Sequence, residues 1–266
     1  MGAHLPLDVL GGAALGWGVG ALTHLLLGAP TGRPSVRGLR RALAERGYAI
    51  ADLTAVDLDA RRSAPFVADT VDGRRLFLKV VPRERRDVDV LYRMWLALTG
   101  GRKPSGRPPR GGGTPVEQVG REAAMGQLAK AAGVRVPEVL SVGGYGNGTG
   151  LLVHPWVDAR SIAVAGCGET GNGVGDGGNL ARDAWRQVSR LRAVGLAHRA
   201  LSPENVLVDA QRRVWLVDFD EAVAPAGATD LDAMRDTLAA AVGAEVTAAA
   251  ARSVFGGDVG FLAQMS

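Results

Sequence analysis

L-A-H-R-A-L-S-P-E-N-V-L-V-D-A-Q-R-R-V-W-L-V-D-F-D, residues 196 to 220, decides how this chain is read. It opens on a polar loop at His198-Arg199. Two short apolar runs follow, Val206 to Val208 and Val214 to Val217, separated by the polar turn Asp209 to Arg213. Runs of that kind around a polar turn predict a β-hairpin. Asn205 stands just before the first strand and Asp218 just after the second, so pairing the strands sets an amide beside a carboxylate. A hard cation takes oxygen ligands, one or two from protein and the rest from phosphates and water, and these two residues outline a magnesium site.

The stretch resembles the catalytic segment of the protein-kinase superfamily, H-R-D-L-x-x-x-N followed by D-F-G. His198, Arg199, Leu201 and Asn205 match the first part, Pro203-Glu204-Asn205 matches the common P-E-N form, and Asp218-Phe219 matches the second. The resemblance implies that His198 and Arg199 build a catalytic loop, that Asn205 and Asp218 hold magnesium, and that ATP is the cofactor. Three positions depart from the pattern. Ala200 stands where the family has the aspartate that accepts the substrate hydroxyl proton, Ser202 replaces a lysine common in Ser/Thr kinases, and Asp220 replaces the glycine after D-F.

Upstream, Ala49 to Val56, Pro65 to Thr70 and Arg75 to Val81 read as strands, the last two joined at Val71-Asp72-Gly73. The third ends L-F-L-K-V-V, so Lys79 projects from an apolar strand, as does the kinase lysine that contacts the α- and β-phosphates. The loop before the second strand, L-D-A-R-R-S-A-P, has none of the glycines that kinases place over the phosphates; Arg61 and Arg62 offer charge instead. Arg83 to Leu98 and Pro115 to Ala132 carry helical periodicity. The second of these contains Glu122, which in the kinase resemblance pairs with Lys79 and aims it at phosphate; an ordinary surface glutamate is the alternative. Val136 to Val142 and Gly150 to Val153 read as strands, and His154-Pro155-Trp156-Val157 resembles the hinge between kinase lobes.

Two segments interrupt this pattern. Residues 100–114 read as a flexible basic insertion, and residues 163–179 as a Gly-rich one without the G-K-[ST] of a phosphate loop. Leu180 to Val194 is the helix that delivers the catalytic loop. Thr229-Asp230-Leu231-Asp232 caps a helix to about Val242, and a last helical stretch reaches Val254.

At the other end, Val9 to Pro30 contains no Asp, Glu, Lys or Arg. At about 1.5 Å per residue it is long enough for a bilayer core of roughly 30 Å, and it predicts a transmembrane helix. Gly12, Gly16 and Gly20 give it a face on which a partner membrane helix could pack. Arg33, Arg37, Arg40 and Arg41 follow the span, so the positive-inside bias predicts a cytoplasmic domain after it, close to membrane lipids. Ser35 to Tyr48 reads as a short amphipathic juxtamembrane helix capped by Ser35. His4 and Asp8, in G-A-H-L-P-L-D-V-L-G-G-A, resemble the H-x(3)-D of the last motif of the phosphatidic acid phosphatase type 2 superfamily. There the histidine is the nucleophile and the aspartate orients it. The upstream K-x(6)-R-P and P-S-G-H motifs are not in this sequence.

The composition agrees with one folded domain plus an accessory segment: 266 residues, 47% hydrophobic and 22% charged. A single cysteine, Cys167, excludes an internal disulfide framework. The net charge of +4 suits phosphate-bearing ligands or an anionic membrane surface; with aromatics at 5% and no recognition motif, nucleic acid is not expected.

The expected fold is α+β, a two-lobed kinase-like domain behind one N-terminal transmembrane helix. The expected divisions are 1–30 (membrane helix and phosphatase-like remnant), 31–46 (juxtamembrane helix), 47–157 (N-lobe) and 158–266 (C-lobe). The order of parts is similar to that of actinobacterial membrane proteins related to lysylphosphatidylglycerol synthases. Because Ala200 replaces the base, the expected function is a nucleotide-binding pseudokinase or regulatory module. An active phosphotransferase of small-molecule or lipid-kinase type, with Glu204 or Asp220 assisting the hydroxyl, is the alternative. A truncated membrane phosphatase fused to a kinase-like domain is a third reading.

Overall fold

The computed structural model describes residues 35–56, 63–82, 113–146, 148–166, 175–224 and 229–256. The proposed membrane span, His4, Asp8, the Arg61-Arg62 loop, the helix expected at 83–98 and the basic insertion up to residue 112 lie outside them. Among the described residues no helix is long and apolar enough to cross a membrane.

The fold is α+β, in two lobes. The first holds helix α1 (Val36–Ala44), strands β1 (Ile50–Ala55), β2 (Ala64–Thr70) and β3 (Arg75–Val81), helix α2 (Pro115–Ala131), and strands β4 (Ser141–Tyr145) and β5 (Thr149–Pro155). The strands form one antiparallel sheet in the order β1-β2-β3-β5-β4. Alternation gives the sheet two apolar faces. One buries Phe66, Leu76, Leu78, Val80, Leu151 and Val153 beneath Leu39 and Leu43 of α1. Ser35 starts α1 as expected, its hydroxyl accepting the Gly38 N–H at 3.0 Å.

The other face packs Val81 and Leu152 against Val119 and Ala123 of α2. Thr114 and Glu117 close the N-terminus of α2 with reciprocal side-chain bonds to each other's backbone, and Pro115 supplies a preset first turn. Gly150 explains how closely that end sits on β5, because a Cβ there would fall on the Pro115 carbonyl.

The second lobe contains β6 (Ala159–Ser161), α3 (Ile162–Gly166), α4 (Gly175–Ala193), β7 (Val206–Asp209), β8 (Val214–Leu216), α5 (Thr229–Val242) and α6 (Ala244–Phe255). The predicted hairpin is β7-β8, with β6 added along β7. Its core is built on Trp185, Val188 and Leu191 of α4, packed with Val206, Val208, Val214 and Leu216 of the hairpin and Met234 and Leu238 of α5.

Two sequence expectations differ from the structure. Val136 to Leu140 is not a strand; the ladder of β4 begins at Ser141. That segment crosses between lobes: Val134 and Val136 are buried in the second core, the Leu216 N–H donates to the Arg135 carbonyl at 2.9 Å, and Pro137 has no donor for a ladder. The Gly-rich stretch is also more structured than its composition suggests, since α3 runs to Gly166 and α4 begins at Gly175; only residues 167–174 lie outside the described part. Gly166 has a packing reason, as a Cβ there would come within 2.5 Å of the Ala241 carbonyl oxygen of α5.

Candidate functional site

The hairpin brings the sequence-predicted groups together. The Val217 N–H donates to the Asn205 carbonyl at 3.0 Å, directly beyond the last ladder pair Val206–Leu216, so Asn205 and Asp218 emerge side by side. The Asn205 amide nitrogen donates to the Ala200 carbonyl at 2.9 Å, which leaves its side-chain oxygen for another partner. One amide oxygen and one carboxylate are hard donors suited to magnesium, which keeps its remaining positions for water and phosphate.

Lys79 reaches this point from β3. Its ammonium lies 3.0 Å and 2.9 Å from the two carboxylate oxygens of Glu122 on α2, and it also donates to Asp218 Oδ1. The pairing of Lys79 with Glu122 is therefore present, and it extends across the lobes to Asp218. Burial works against the Lys79 charge, but Glu122 and Asp218 together hold its pKa above the usual lysine value. Burial likewise pushes the Glu122 carboxyl up, to about 7, against the pull of Lys79. Asp218, more open to solvent, is lowered overall: burial opposes its charge and Lys79 outweighs that. One ammonium thus serves two carboxylates, and the more deeply buried one bears the cost.

Asp220, at the position of the family's glycine, contributes a third negative charge felt by both Lys79 and Glu122, while its backbone N–H supports the Asp218 carboxylate. Glu204 is exposed.

The loop before Asn205 is held by groups that the sequence did not single out. Asp230, buried at the start of α5, accepts the His198 N–H at 2.6 Å and the Arg199 N–H at 2.7 Å. Thr237, two turns further along, donates its hydroxyl to the Leu201 carbonyl at 2.7 Å. Sequence reasoning assigned Thr229 to Asp232 only a capping role; a second acid in the first turn beyond the cap was the available signal.

His198 is fully buried, its Nε2 lies 3.0 Å from the Val217 carbonyl, and its Nδ1 accepts the Ala200 N–H at 3.3 Å. Those partners select the neutral imidazole protonated on Nε2. Burial lowers its pKa despite the nearby Asp230 and Asp218. Its ring centroid lies 4.4 Å from that of Phe219, which locks the loop to the D-F segment.

Arg199 and Asp218 both adopt positive φ, 68° and 65°, a conformation that a non-glycine residue holds only where its surroundings impose it. Here Asp230 fixes the first and the Asn205–Val217 tie the second. Ala200 is half-buried beside this constellation, and its methyl can neither accept a proton nor orient a hydroxyl.

A further ionic contact ties the segment that crosses between the lobes to the second lobe. Arg135, after α2, makes a two-pronged contact with Asp183 of α4 at 2.6 Å and 3.0 Å, and Asp183 also accepts the Val214 N–H at 2.8 Å.

No family model matches the chain. Over 41 residues it is 37% identical to the 3-deoxy-D-manno-octulosonic acid kinases of Vibrio vulnificus strains YJ016 and CMCP6, a match covering 15% of this chain and 17% of each relative. The chain thus spans less than a fifth of the curated relatives it matches, and over that short stretch it is similar to a kinase.

Proposed function

We propose that this chain is a kinase-like domain that binds a nucleoside triphosphate with magnesium and, lacking a base at position 200, acts as a binding or regulatory module rather than an efficient phosphotransferase. The observation that carries this reading is the convergence of Lys79, Glu122, Asn205 and Asp218 from four separate elements around Ala200. Lys79 would engage phosphate oxygens and Glu122 would keep it extended toward them. Asn205 and Asp218 would hold magnesium, which would supply positive charge to neutralise the phosphates. Asp218 now faces Lys79, and an incoming cation would share that carboxylate. A tether through residues 9–30, with the domain on the cytoplasmic side, belongs to the same reading and rests on the arginines after the span.

The similarity to a sugar-acid kinase, with Asp220 electrostatically close to Lys79, favours a second reading. In it, Asp220 assists a hydroxyl of a small anionic sugar and transfer survives, since phosphoryl transfer relies mainly on positioning and charge stabilisation.

Thermal denaturation titrated with ATP and magnesium tests the primary reading. Stabilisation of wild type is expected, weakened in Lys79→Met and Asp218→Asn. No shift in wild type, or equal shifts in all three proteins, removes the nucleotide site.

A further inference from the structure

Between the lobes lies an open cavity of about 490 Å³ that none of Lys79, Glu122, Ala200, Asn205 or Asp218 lines. Its walls are the end of α2 at Lys130, the crossing segment Val136 to Glu138, the hinge stretch Pro155 to Asp158, and the β7-β8 turn as far as Trp215. The volume falls within the roughly 300 to 1,000 Å³ of small-molecule sites, which favour the junctions between structural units.

Two indoles line it. Trp156 is 40% exposed, the one exposed aromatic residue among the described residues, and its backbone is fixed by donating its N–H to the Arg75 carbonyl at 2.9 Å. Trp215 is half-buried, and its ring N–H donates to Asp209 Oδ2 at 2.9 Å. That bond uses the only polar group of the indole, so what remains for a ligand is aromatic surface. The cation–π contacts among the described residues are Arg74 on Tyr48 and Arg192 on Phe255, so neither tryptophan ring is covered by a cation from them.

Three carboxylates share the cavity, and two are neutralised inside it. Asp209 is held by the Arg213 guanidinium at 2.8 Å and by two backbone N–H groups of its turn, and Glu138 is held by Lys130 at 3.1 Å. Asp158 is exposed and has no hydrogen bond or ion pair with another described residue. Arg75, whose charge Asp158 favours from a distance, is already taken by both oxygens of Asp69. One negative charge is thus left over in a cavity with two indoles.

We propose that this cavity binds a small organic cation, an alkylated ammonium whose charge Asp158 meets and whose alkyl groups the indoles cover. The donor set decides the class. A hard inorganic cation takes six or so oxygen ligands, and one free carboxylate does not supply them. An anion would find both basic residues of the wall already paired. An ammonium without N–H groups needs only a charge and π-faces, and tryptophan offers the best such face. The site stands independently of the nucleotide reading, since it shares none of the residues on which that reading rests.

Nuclear magnetic resonance of the indole N–H groups in the full-length chain tests it, with tetramethylammonium and the neutral tert-butanol, similar in size, as separate probes. Trp156→Phe and Trp215→Phe assign the two signals. Tetramethylammonium is expected to shift both at concentrations where tert-butanol shifts neither. Trp156→Ala should weaken binding about fivefold, read from the Trp215 signal, while Trp156→Phe keeps a ring and most of the affinity. Asp158→Asn should weaken it by about as much at low ionic strength and by less at high, where salt screens the carboxylate. An equal response to both probes overturns the cation and leaves an apolar pocket. Shifts unaltered by both Trp156→Ala and Asp158→Asn, or no response of wild type to tetramethylammonium, overturn the site itself.

Discussion

The Asp230 carboxylate takes the amide proton of His198, 32 residues earlier in the chain, at 2.6 Å, and with its other oxygen takes that of Arg199 at 2.7 Å. A buried acid thus fixes the backbone of the loop that carries Ala200 and Asn205, through bonds to His198 and Arg199 rather than to those two residues.

Asp230→Asn should therefore cost more than a conservative exchange on a helix. The amide keeps one acceptor and turns an NH2 toward the second N–H, so about 2 kcal/mol of stability should go. Nucleotide-induced stabilisation should fall along with it, because Asn205 loses its fixed support. Chemical denaturation with and without magnesium-ATP measures both. A variant as stable as wild type would show that the loop holds itself.

Asp183→Ala should weaken the brace that holds the crossing segment on the second lobe. It leaves the Arg135 guanidinium with the Val214 carbonyl but no carboxylate, and leaves the Val214 N–H without its acceptor. Losing one partner of a partly buried pair with a backbone bond costs roughly 2 to 4 kcal/mol, or about 5 to 15 °C in melting temperature for a domain of this size. A melting curve unchanged within about 2 °C would show that the brace is dispensable.

The Lys79–Glu122–Asp218 cluster carries a pH signature. The Glu122 carboxyl is pushed up from an ordinary 4.5 to about 7, so between those values the folded chain keeps a proton that the unfolded chain releases. Its contribution to stability accordingly falls as pH rises through that window. Glutamine cannot titrate, so the stability of Glu122→Gln relative to wild type should grow in the variant's favour from pH 5 to pH 7. His198, lowered by burial, contributes with the opposite sign near its ordinary value, but it is present in both proteins and cancels in the difference. Urea melts at pH 5, 6 and 7 read the effect, and a pH-independent difference would mean that Glu122 is ionised throughout.

The hairpin and the first three strands were legible because local chemistry settles them: Gly73 takes φ 82° in the β2-β3 turn, and Asp209 closes the β7-β8 turn by accepting the Gln211 and Arg213 N–H groups. Lys79, Glu122, Asn205 and Asp218 were legible from their motifs, and the structure brings all four to one place. What stayed hidden depends on packing between distant segments. Asp230 reads as an ordinary acid in a first helical turn until α5 is laid against the His198 loop. Arg135 and Asp183 lie in different elements with no shared spacing. Phe77 reads as one more apolar strand residue, yet it is half-buried and outside the hydrophobic cores of the described residues. Gly166 looked like low complexity because close helix approach leaves no mark in composition.

Ala200 is the position at which chemistry can be returned to the site. Its N–H and carbonyl are engaged with His198 and Asn205, so a larger side chain there need not disturb the backbone bonds. Its half-buried setting gives a carboxylate room beside the Asn205–Asp218 pair. Ala200→Asp should raise phosphate release from magnesium-ATP by about 10²- to 10⁴-fold over wild type, the range of a positioned general base. Water is then the acceptor, so the assay does not depend on knowing the substrate. The added negative charge beside Asp218 and Asp220 should also make nucleotide binding more dependent on magnesium, since like charges must be neutralised before triphosphate can approach. Parallel assays of wild type with small anionic sugars as acceptors complete the test. Wild-type transfer that Asp218→Asn abolishes would end the pseudokinase reading, and loss of that transfer in Asp220→Asn, with ATP binding kept, would name the group that took over from the missing aspartate.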